Sequence, residues 1–503
     1  VSRFVVSLFA VPDPPRIEIV DRGRDRVLNG QAQASEAVRG RLLKVLGDLY
    51  VSIGNLDSAL TVYEGAVEAA RQPAVADRRA QAEALVALAT AQTDNGLLAQ
   101  GRDSATRALG LLDERQRDQE DLVARANQTL GQALTNTFEY DKARPYIARA
   151  IELHTRRTGP HGRDALTSRY AEARLSFRSG NATLGIDQMR QVLGDMRTHL
   201  GPRDADSILA LETFGSFLGE NGQYPESEAT LRESIARRGE VYGTDHPSLS
   251  GSFAILGRVL FWAGEVKRAL PEIHRSIELE RKGNPRPTPY LAYQQEWLFR
   301  AYLAGGDVER ADAAFREGIS ILSGAGEPES SLNHLRLWRN HVQSQLLAGR
   351  LDAVREGLER LRPLAREHDD RLGLRAVVMA EAALTHAVDP ATSARHQAAI
   401  DELLPSLGRN KALAMLSKAR ASRHAQDLAG AARAYDEALR LATKDFAHCP
   451  AELLPAGLEA ADTLQLLGQP LQTRELLNRL APCAERAFEG SHWRKRWTEL
   501  SRR

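Results

Sequence analysis

The side chains of this sequence best suited to recognition chemistry recur at helical spacing. Gln128, Gln132 and Asn136 are four apart, so on a helix they share one face. Amides placed this way hydrogen-bond an extended backbone without reading its side chains. Tyr170, Arg174 and Arg178 repeat the spacing, as do Arg258 with Trp262 and Glu296 with Arg300. Arginine beside aromatic rings is the composition of binding hot spots and of carboxylate recognition. Together with Glu212, these residues predict a groove for an extended or acidic peptide, or for a protein surface. The competing reading is that the arginines pair with Glu212 and Glu296 along the same face and bind nothing.

Reactive chemistry is not signalled. The sequence has no GxxxxGK[ST], HExxH, CxxC or GxSxG motif. The Gly-rich, HRD and DFG elements of a kinase are also missing; Asp445-Phe446 is followed by Ala447, with no catalytic loop upstream. No catalytic residue, metal or cofactor is therefore expected. His246 sits in GTDHPSL and reads as part of a capping loop. Carboxylates lie beside arginines at helix-surface spacing and read as solvated faces. Cys449 and Cys483 are the only cysteines. The favoured reading is two unpaired small residues, because pairing needs an oxidising compartment.

What positions these residues is a period. Gly54, Gly96, Phe138, Gly180, Gly222, Gly264 and Gly306 each lie 42 residues after the last. A repeat this long implies stacked supersecondary units rather than one closed core. The chain is 43% apolar, 6% aromatic and 26% charged, and Ala, Leu, Arg and Glu recur throughout. These helix formers, with few β-branched or aromatic runs, predict an all-α chain. A net charge of +1 supplies no global field for nucleic acid or an anionic membrane. No stretch reaches the roughly 18 apolar residues of a membrane span. The longest, Phe4 to Val11, contains Ser7 and lacks the flanks of a signal peptide. The chain opens on Val1, as a piece of a longer protein or a gene with an alternative start codon would.

Within a unit, Leu42, Leu46 and Tyr50 mark a first helix, Gly54-Asn55 breaks it, and Asp57 or Ser58 caps a second. The second carries Ala59, Tyr63, Ala66 and Val67 on one stripe. Small residues stand seven before the ruler (Gly47, Ala89, Gly131, Ala173, Gly215, Gly257) and large ones nine after (Tyr63, Ile147, Met189, Leu231, Ile273, Phe315). Small against large lets two helices approach closely. In this register Gln132, Arg174, Arg258 and Arg300 directly follow the tight-packing position. Asn136, Arg178 and Trp262 lie one turn on; Gln128, Tyr170, Glu212 and Glu296 lie one turn back.

The order large–Gly–large–Gly–Ala–large–Ala at these spacings resembles the tetratricopeptide (TPR) repeat from Ser35 to Leu322. The 42-residue period, with Gly159, Gly201 and Gly243 opening GPHGRDA, GPRDADS and GTDHPSL, resembles the long variant of kinesin light chains and bacterial multi-repeat proteins. The resemblance implies an α-solenoid of about eleven helical hairpins in a right-handed superhelix, with first helices lining a partner groove. Beyond Leu322 the ruler slips by one, to Gly349. Asp369 to Leu407 is a degenerate unit, and Gln426 and Gly468 are again 42 apart. A bend is expected near Ala325–Ser330 or Val388–Ala391. The expected segments are a cap or linker at 1–34, a regular array at 35–324, less regular units at 325–480, and a capping helix at 481–503 carrying Trp493 and Trp497.

The N-terminal block resembles one that joins a transmembrane helix to a TPR array in bacterial eukaryotic-like serine/threonine protein kinases. It matches at Phe4, Leu8 and Phe9, at Asp13-Pro14 and at Asp21-Arg22-Gly23, with a shorter loop between the last two groups. Similar blocks precede TPR arrays in bacterial transcriptional regulators. Physically, Phe4, Val5, Leu8 and Phe9 would cover the open apolar end of the first unit. The resemblance implies the sensor or docking region of such a kinase, periplasmic if tethered and otherwise cytoplasmic. The alternatives are the effector half of a regulator or a free-standing adaptor.

Overall fold

The structure, a computed structural model, describes residues 16–29, 34–52, 55–72, 77–94, 97–284, 286–368, 371–385, 398, 411–442 and 453–502. Among them every regular element is helical. The chain divides into two compact units, Val1–Phe217 and Leu218–Arg503. In the first, α1 (Arg16–Leu28) precedes the hairpins α2 (Glu36–Ser52) with α3 (Leu56–Arg71), and α4 (Arg78–Asp94) with α5 (Leu98–Leu111). Then come α6 (Glu120–Asn136) with α7 (Tyr140–Thr158), and α8 (Arg163–Arg178) with α9 (Ala182–His199). The division falls inside α10 (Ala205–Glu220).

The second unit continues with α11 (Tyr224–Tyr242) and the hairpins α12 (Ser250–Trp262) with α13 (Val266–Gly283), and α14 (Pro289–Ala304) with α15 (Val308–Gly324). Next are α16 (Leu332–Leu347) with α17 (Leu351–Glu367), and then α18 (Arg371–Thr385). The last elements are α19 (Lys411–His424) with α20 (Leu428–Ala442), α21 (Leu454–Leu466) with α22 (Pro470–Arg486), and α23 (His492–Arg502). Within each unit, helices that follow one another in sequence pack on one another, the pattern of an all-α solenoid of helical hairpins.

The 42-residue ruler is a turn register. Phe138, Gly180, Gly222, Gly264 and Gly306 all have positive φ, and so do Gly349, Gln426 and Gly468 after the slip. Each ends a first helix, and the next residue closes the turn. Glu139, Asn181, Gln223, Glu265 and Asp307 donate their backbone N–H to the carbonyls of Leu134, Ser176, Leu218, Leu260 and Tyr302, at 2.8–3.1 Å. This is the six-to-one bond of a Schellman motif, whose left-handed residue favours glycine. Phe138 and Gln426 are the only other residue types in that conformation among the described residues.

The small-to-large pairing is physical contact. A Cβ on Gly47 would strike the Tyr63 ring, one on Gly131 would sit 2.5 Å from Ile147 Cγ1, and one on Gly257 would sit 2.6 Å from Ile273 Cγ1. Between hairpins, arginines reach acids about one period away, as in Arg102–Glu139 (3.2 Å), Arg149–Glu114 (3.1 Å) and Arg350–Asp312 (2.9 Å). Such exposed pairs contribute about 0–1 kcal/mol each.

The two ends are finished differently. At the first, Val20 and Val27 of α1 bury against Leu42, Leu43 and Leu46, and Tyr50 Oη donates to Asp21 Oδ1 at 2.5 Å. Phe4, Val5, Leu8, Phe9, Asp13 and Pro14 lie outside the described residues, as do Gly54, Gly96, Val388–Ala391, Asp445, Phe446 and Cys449. At Ala325–Ser330 there is a tight turn, with Gly326 at φ 75° and Ser331 capping α16.

At the second end, α22 and α23 pack back on hairpins far earlier in the chain. Trp493 Nε1 donates to Leu303 O (3.2 Å), Phe488 N to Gly305 O (3.1 Å), and Lys267 Nζ to Glu485 O (3.0 Å). Phe488 and Trp493 lie directly on Gly305 and Gly306, where a Cβ would collide with them. Arg420 of α19 is buried, binds Glu459 at 2.8 and 2.9 Å, and donates to the carbonyls of Leu346 and Leu347 at the end of α16. The expected unpaired cysteines are corrected for one residue. Cys483, fully buried in α22, is disulfide-bonded.

Candidate functional site

First helices pack on the first helices of the following hairpins, α4 on α6 and α6 on α8 in unit one, and α14 on α16 in unit two. Each unit therefore has a face built from first helices, and the predicted recognition columns stand on it.

In unit one the amide and arginine columns meet. Arg174 Nη2 donates to Asn136 Oδ1 at 3.2 Å, across from α8 to α6. Its guanidinium carbon stands 5.8 Å from the centroid of the Tyr170 ring. Tyr170 is buried and exchanges a 2.8 Å hydrogen bond with Thr213 of α10; burial pushes its phenol pKa up. Arg178 stacks over Phe177 and Phe217 at 5.7 and 5.9 Å. Crowding also raises the Asp94 carboxyl, even though the residue reaches solvent, and Arg174 pulls it the other way. No carboxylate lies within ion-pair distance of Arg174 among the described residues. Its aromatic and amide supports leave the rest of the fork available to a ligand.

The other amides behave differently. Gln128 accepts from Ser168 Oγ at 2.9 Å and is tied into the packing of α6 against α8. Gln132 is half-buried between Gln128 and Asn136 on the same face. Glu212 lies on α10, half-buried, close enough to Tyr170 for its charge to act on the phenol.

In unit two the corresponding residues form a denser cluster. Arg258 Nη1 donates to Tyr293 Oη at 2.8 Å and lies 5.0 Å over Trp262. Trp262, Phe261 and Tyr293 all pack edge-on against Trp297 at 5.7–6.2 Å. Arg300 stacks on Trp297 at 4.3 Å and on Phe261 at 5.1 Å. Glu296 is buried; it accepts from Asn340 Nδ2 (2.7 Å) and faces Arg336 Nε at 3.6 Å. Burial raises its pKa, while Arg336, Arg300 and Asn340 favour the charged form. So Glu296 pairs one hairpin onward, with Arg336, rather than being offered to solvent.

This end of the face is also met by the chain itself. Pro455 of α21 lines one small cavity with Arg300, Leu303 and Ala304 of α14 and Ser344 and Ala348 of α16. Sequence reading missed Tyr293, Trp297, Arg336 and Asn340. A signal existed. Tyr293 and Trp297 stand thirteen and nine before Gly306, and Arg336 and Asn340 stand the same distances before Gly349 once the one-residue slip is applied.

Tetratricopeptide repeat models match residues 43–73 and 124–154, and a second tetratricopeptide model matches 208–248. The chain carries tetratricopeptide repeats, and the fold they define is a protein-interaction scaffold. Solved structures align with this chain at low identity. A kinesin light chain of Podosopora anserina with nearly identical TPR-like repeats aligns at 17% identity over 42% of this chain and 100% of its own, TM-score 0.37. A Rap protein complexed with Competence and Sporulation Factor aligns at 13% over 65% of this chain and 85% of its own, TM-score 0.46. A signal transduction ATPase with numerous domains from Pyrococcus horikoshii, bearing a tetratricopeptide repeat sensor, aligns at 14% over 71% and 54%, TM-score 0.45. No curated protein matches by sequence.

Proposed function

We propose that this chain is a non-catalytic scaffold that holds an extended, acidic peptide segment on the first-helix face of unit one. The observation that carries this reading is Arg174, held between Asn136 and the face of Tyr170 with no carboxylate within ion-pair distance among the described residues. A guanidinium oriented by aromatic and amide supports loses little freedom on meeting a carboxylate. Gln132 and Asn136 supply amides for the backbone of the bound segment. The kinase connection rests on the resemblance of the N-terminal block, and the effector half of a transcriptional regulator is the second reading. The disulfide at Cys483 favours an oxidising compartment, and with it the periplasmic side of a tethered receptor.

The test is calorimetry of the full chain with a library of acidic and charge-neutral peptides. Acidic members bind, and Arg174→Ala weakens them about tenfold or more, as expected for a charge-assisted contact of about 1.5–3 kcal/mol. Equal affinity of wild type and Arg174→Ala would overturn the proposal. The sequence encoded upstream of Val1 decides between receptor and regulator: a kinase domain and a hydrophobic span, or a winged-helix domain.

A further inference from the structure

Unit one holds a cluster that the recognition face does not use. Asp121 opens α6, His154 lies near the end of α7, and Asp164 opens α8. One carboxylate oxygen from each acid and one imidazole nitrogen lie within 4.8 Å of one another. The arrangement joins the first helices of two successive hairpins to the second helix between them.

The hydrogen bonds fix the state of the imidazole. Ser168 Oγ has one proton and donates it to Gln128 Oε1 at 2.9 Å. The 2.9 Å contact between Ser168 Oγ and His154 Nδ1 must then run the other way, with Nδ1–H as donor. In the neutral ring, Nε2 then carries the lone pair. That atom is buried, in a residue 1% exposed, and has no hydrogen-bond partner. A neutral imidazole with Nδ1–H tied to an oxygen and Nε2 bare is the form that ligates metals, and the Ser168–Gln128 pair supplies the outer support such ligands need.

We infer that Asp121, His154 and Asp164 form a binding site for a divalent transition-metal cation of the zinc class. One nitrogen and two carboxylate oxygens suit zinc, cobalt or nickel, whereas magnesium and calcium prefer all-oxygen sets. Three protein ligands leave the fourth position to water. Bonds of about 2.0–2.2 Å place tetrahedral ligands about 3.3 Å apart, so the two half-exposed acids swing inward on binding.

The present occupant of the acids is Arg157, which bonds Asp121 Oδ1 at 2.8 Å and also Asp164; Arg125 stands 4.0 Å from Asp121. Arg157 is partly exposed on a long side chain and is displaced when the cation enters. The metal would clamp α6, α7 and α8, stabilising unit one from outside its core.

The test is zinc titration of chelator-treated full-length protein by calorimetry, with a thermal melt and a cobalt visible spectrum as second readouts. One zinc per chain should bind, raise the melting temperature and give tetrahedral cobalt bands. His154→Ala and Asp121→Asn should each weaken zinc at least tenfold. Arg157→Ala removes the competing cation without touching a ligand and should tighten it several-fold. Absence of zinc binding in wild type, equal binding by His154→Ala, weaker binding by Arg157→Ala, or magnesium binding as tight as zinc would each overturn the site. If Asp121→Asn or His154→Ala fails to fold, the Arg157→Ala and magnesium comparisons still decide.

Discussion

The two units solve the solenoid's end problem differently. In unit one, α1 covers the apolar end of the first hairpin with Val20 and Val27, and each hairpin touches mainly its neighbours. In unit two, α23 returns to the end of α14, α22 meets Lys267 of α13, and Arg420 ties α19 to the end of α16. The difference has a functional consequence. Unit one keeps Arg174 supported but without an ion-pair partner among the described residues, whereas unit two turns the same column into a packed cluster, with Glu296 paired and Pro455 lining one cavity with Arg300 and Ala304. A repeat array presents a face for partners only where its own chain does not already meet that face.

The largest effects come from opening unit two. Arg420→Ala removes both guanidinium bonds to the half-buried Glu459, which keeps Tyr435 Oη as a donor, and the cap on Leu346 and Leu347, so it should cost about 3–5 kcal/mol. Trp493→Ala removes the ring on Gly306 and should cost about 3–5 kcal/mol. Hydrogen exchange should show faster opening of α14, α16 and α23 in both variants, with α4 and α6 unchanged. Faster exchange in α4 and α6 as well would erase the distinction between the units.

Acid sharpens the same contrast. Burial lowers His341 of α16 to about 3, with Asp312 opposing and Arg350 reinforcing that shift, and its ring stacks on Phe315 at 3.8 Å. The unfolded chain binds this proton below about pH 6.5 and the folded chain does not until about pH 3. Stability is therefore present above pH 6.5 and falls as pH drops toward 3, by at most about 1.4 kcal/mol per pH unit from this group. Denaturant melts of His341→Leu across pH 4–7 should show a shallower acid limb in unit two. Carboxylates held low by arginines, such as Asp312, leave part of the slope in place.

In unit one, Gly131→Ala should cost about 1–3 kcal/mol by overpacking Ile147, and Ile147→Val should recover part of it. Simple additivity of the two changes would mean the helices do not touch there. The smallest effect is at Phe138, exposed and at φ 64°. Phe138→Gly relieves a left-handed conformation costing about 1–2 kcal/mol, less the glycine's extra unfolded-state entropy, so it should stabilise slightly.

Most of the fold was legible because its determinants are local. A left-handed residue, glycine everywhere but at Phe138 and Gln426 among the described turns, closes each first helix, and Gly131 faces Ile147 where two helices meet closely. Even the slip to Gly349 carried the turn with it. What was not legible depends on chain returning from far away. Nothing in the period says that Phe488 lands on Gly305, or that Arg420 reaches Leu346. The site was half legible for the same reason. The columns through Arg174 and Arg258 stand on the expected helices, but Trp297 and Asn340 belong to a column that is unremarkable in unit one, running through Thr129 and Thr213, and Tyr293 to one running through Thr167 and Leu209. Their aromatic and amide content acquires meaning only once Arg258 and Glu296 are seen beside them.

The most direct measurement of the account is calorimetric binding of one acidic peptide to the full chain and to Arg174→Ala and Arg300→Ala compared side by side. Arg174→Ala should weaken binding about tenfold or more while Arg300→Ala leaves it within about twofold, because Arg300 is already stacked on Trp297 and Phe261. Loss of binding in Arg300→Ala with Arg174→Ala unaffected would place the partner on unit two and contradict it.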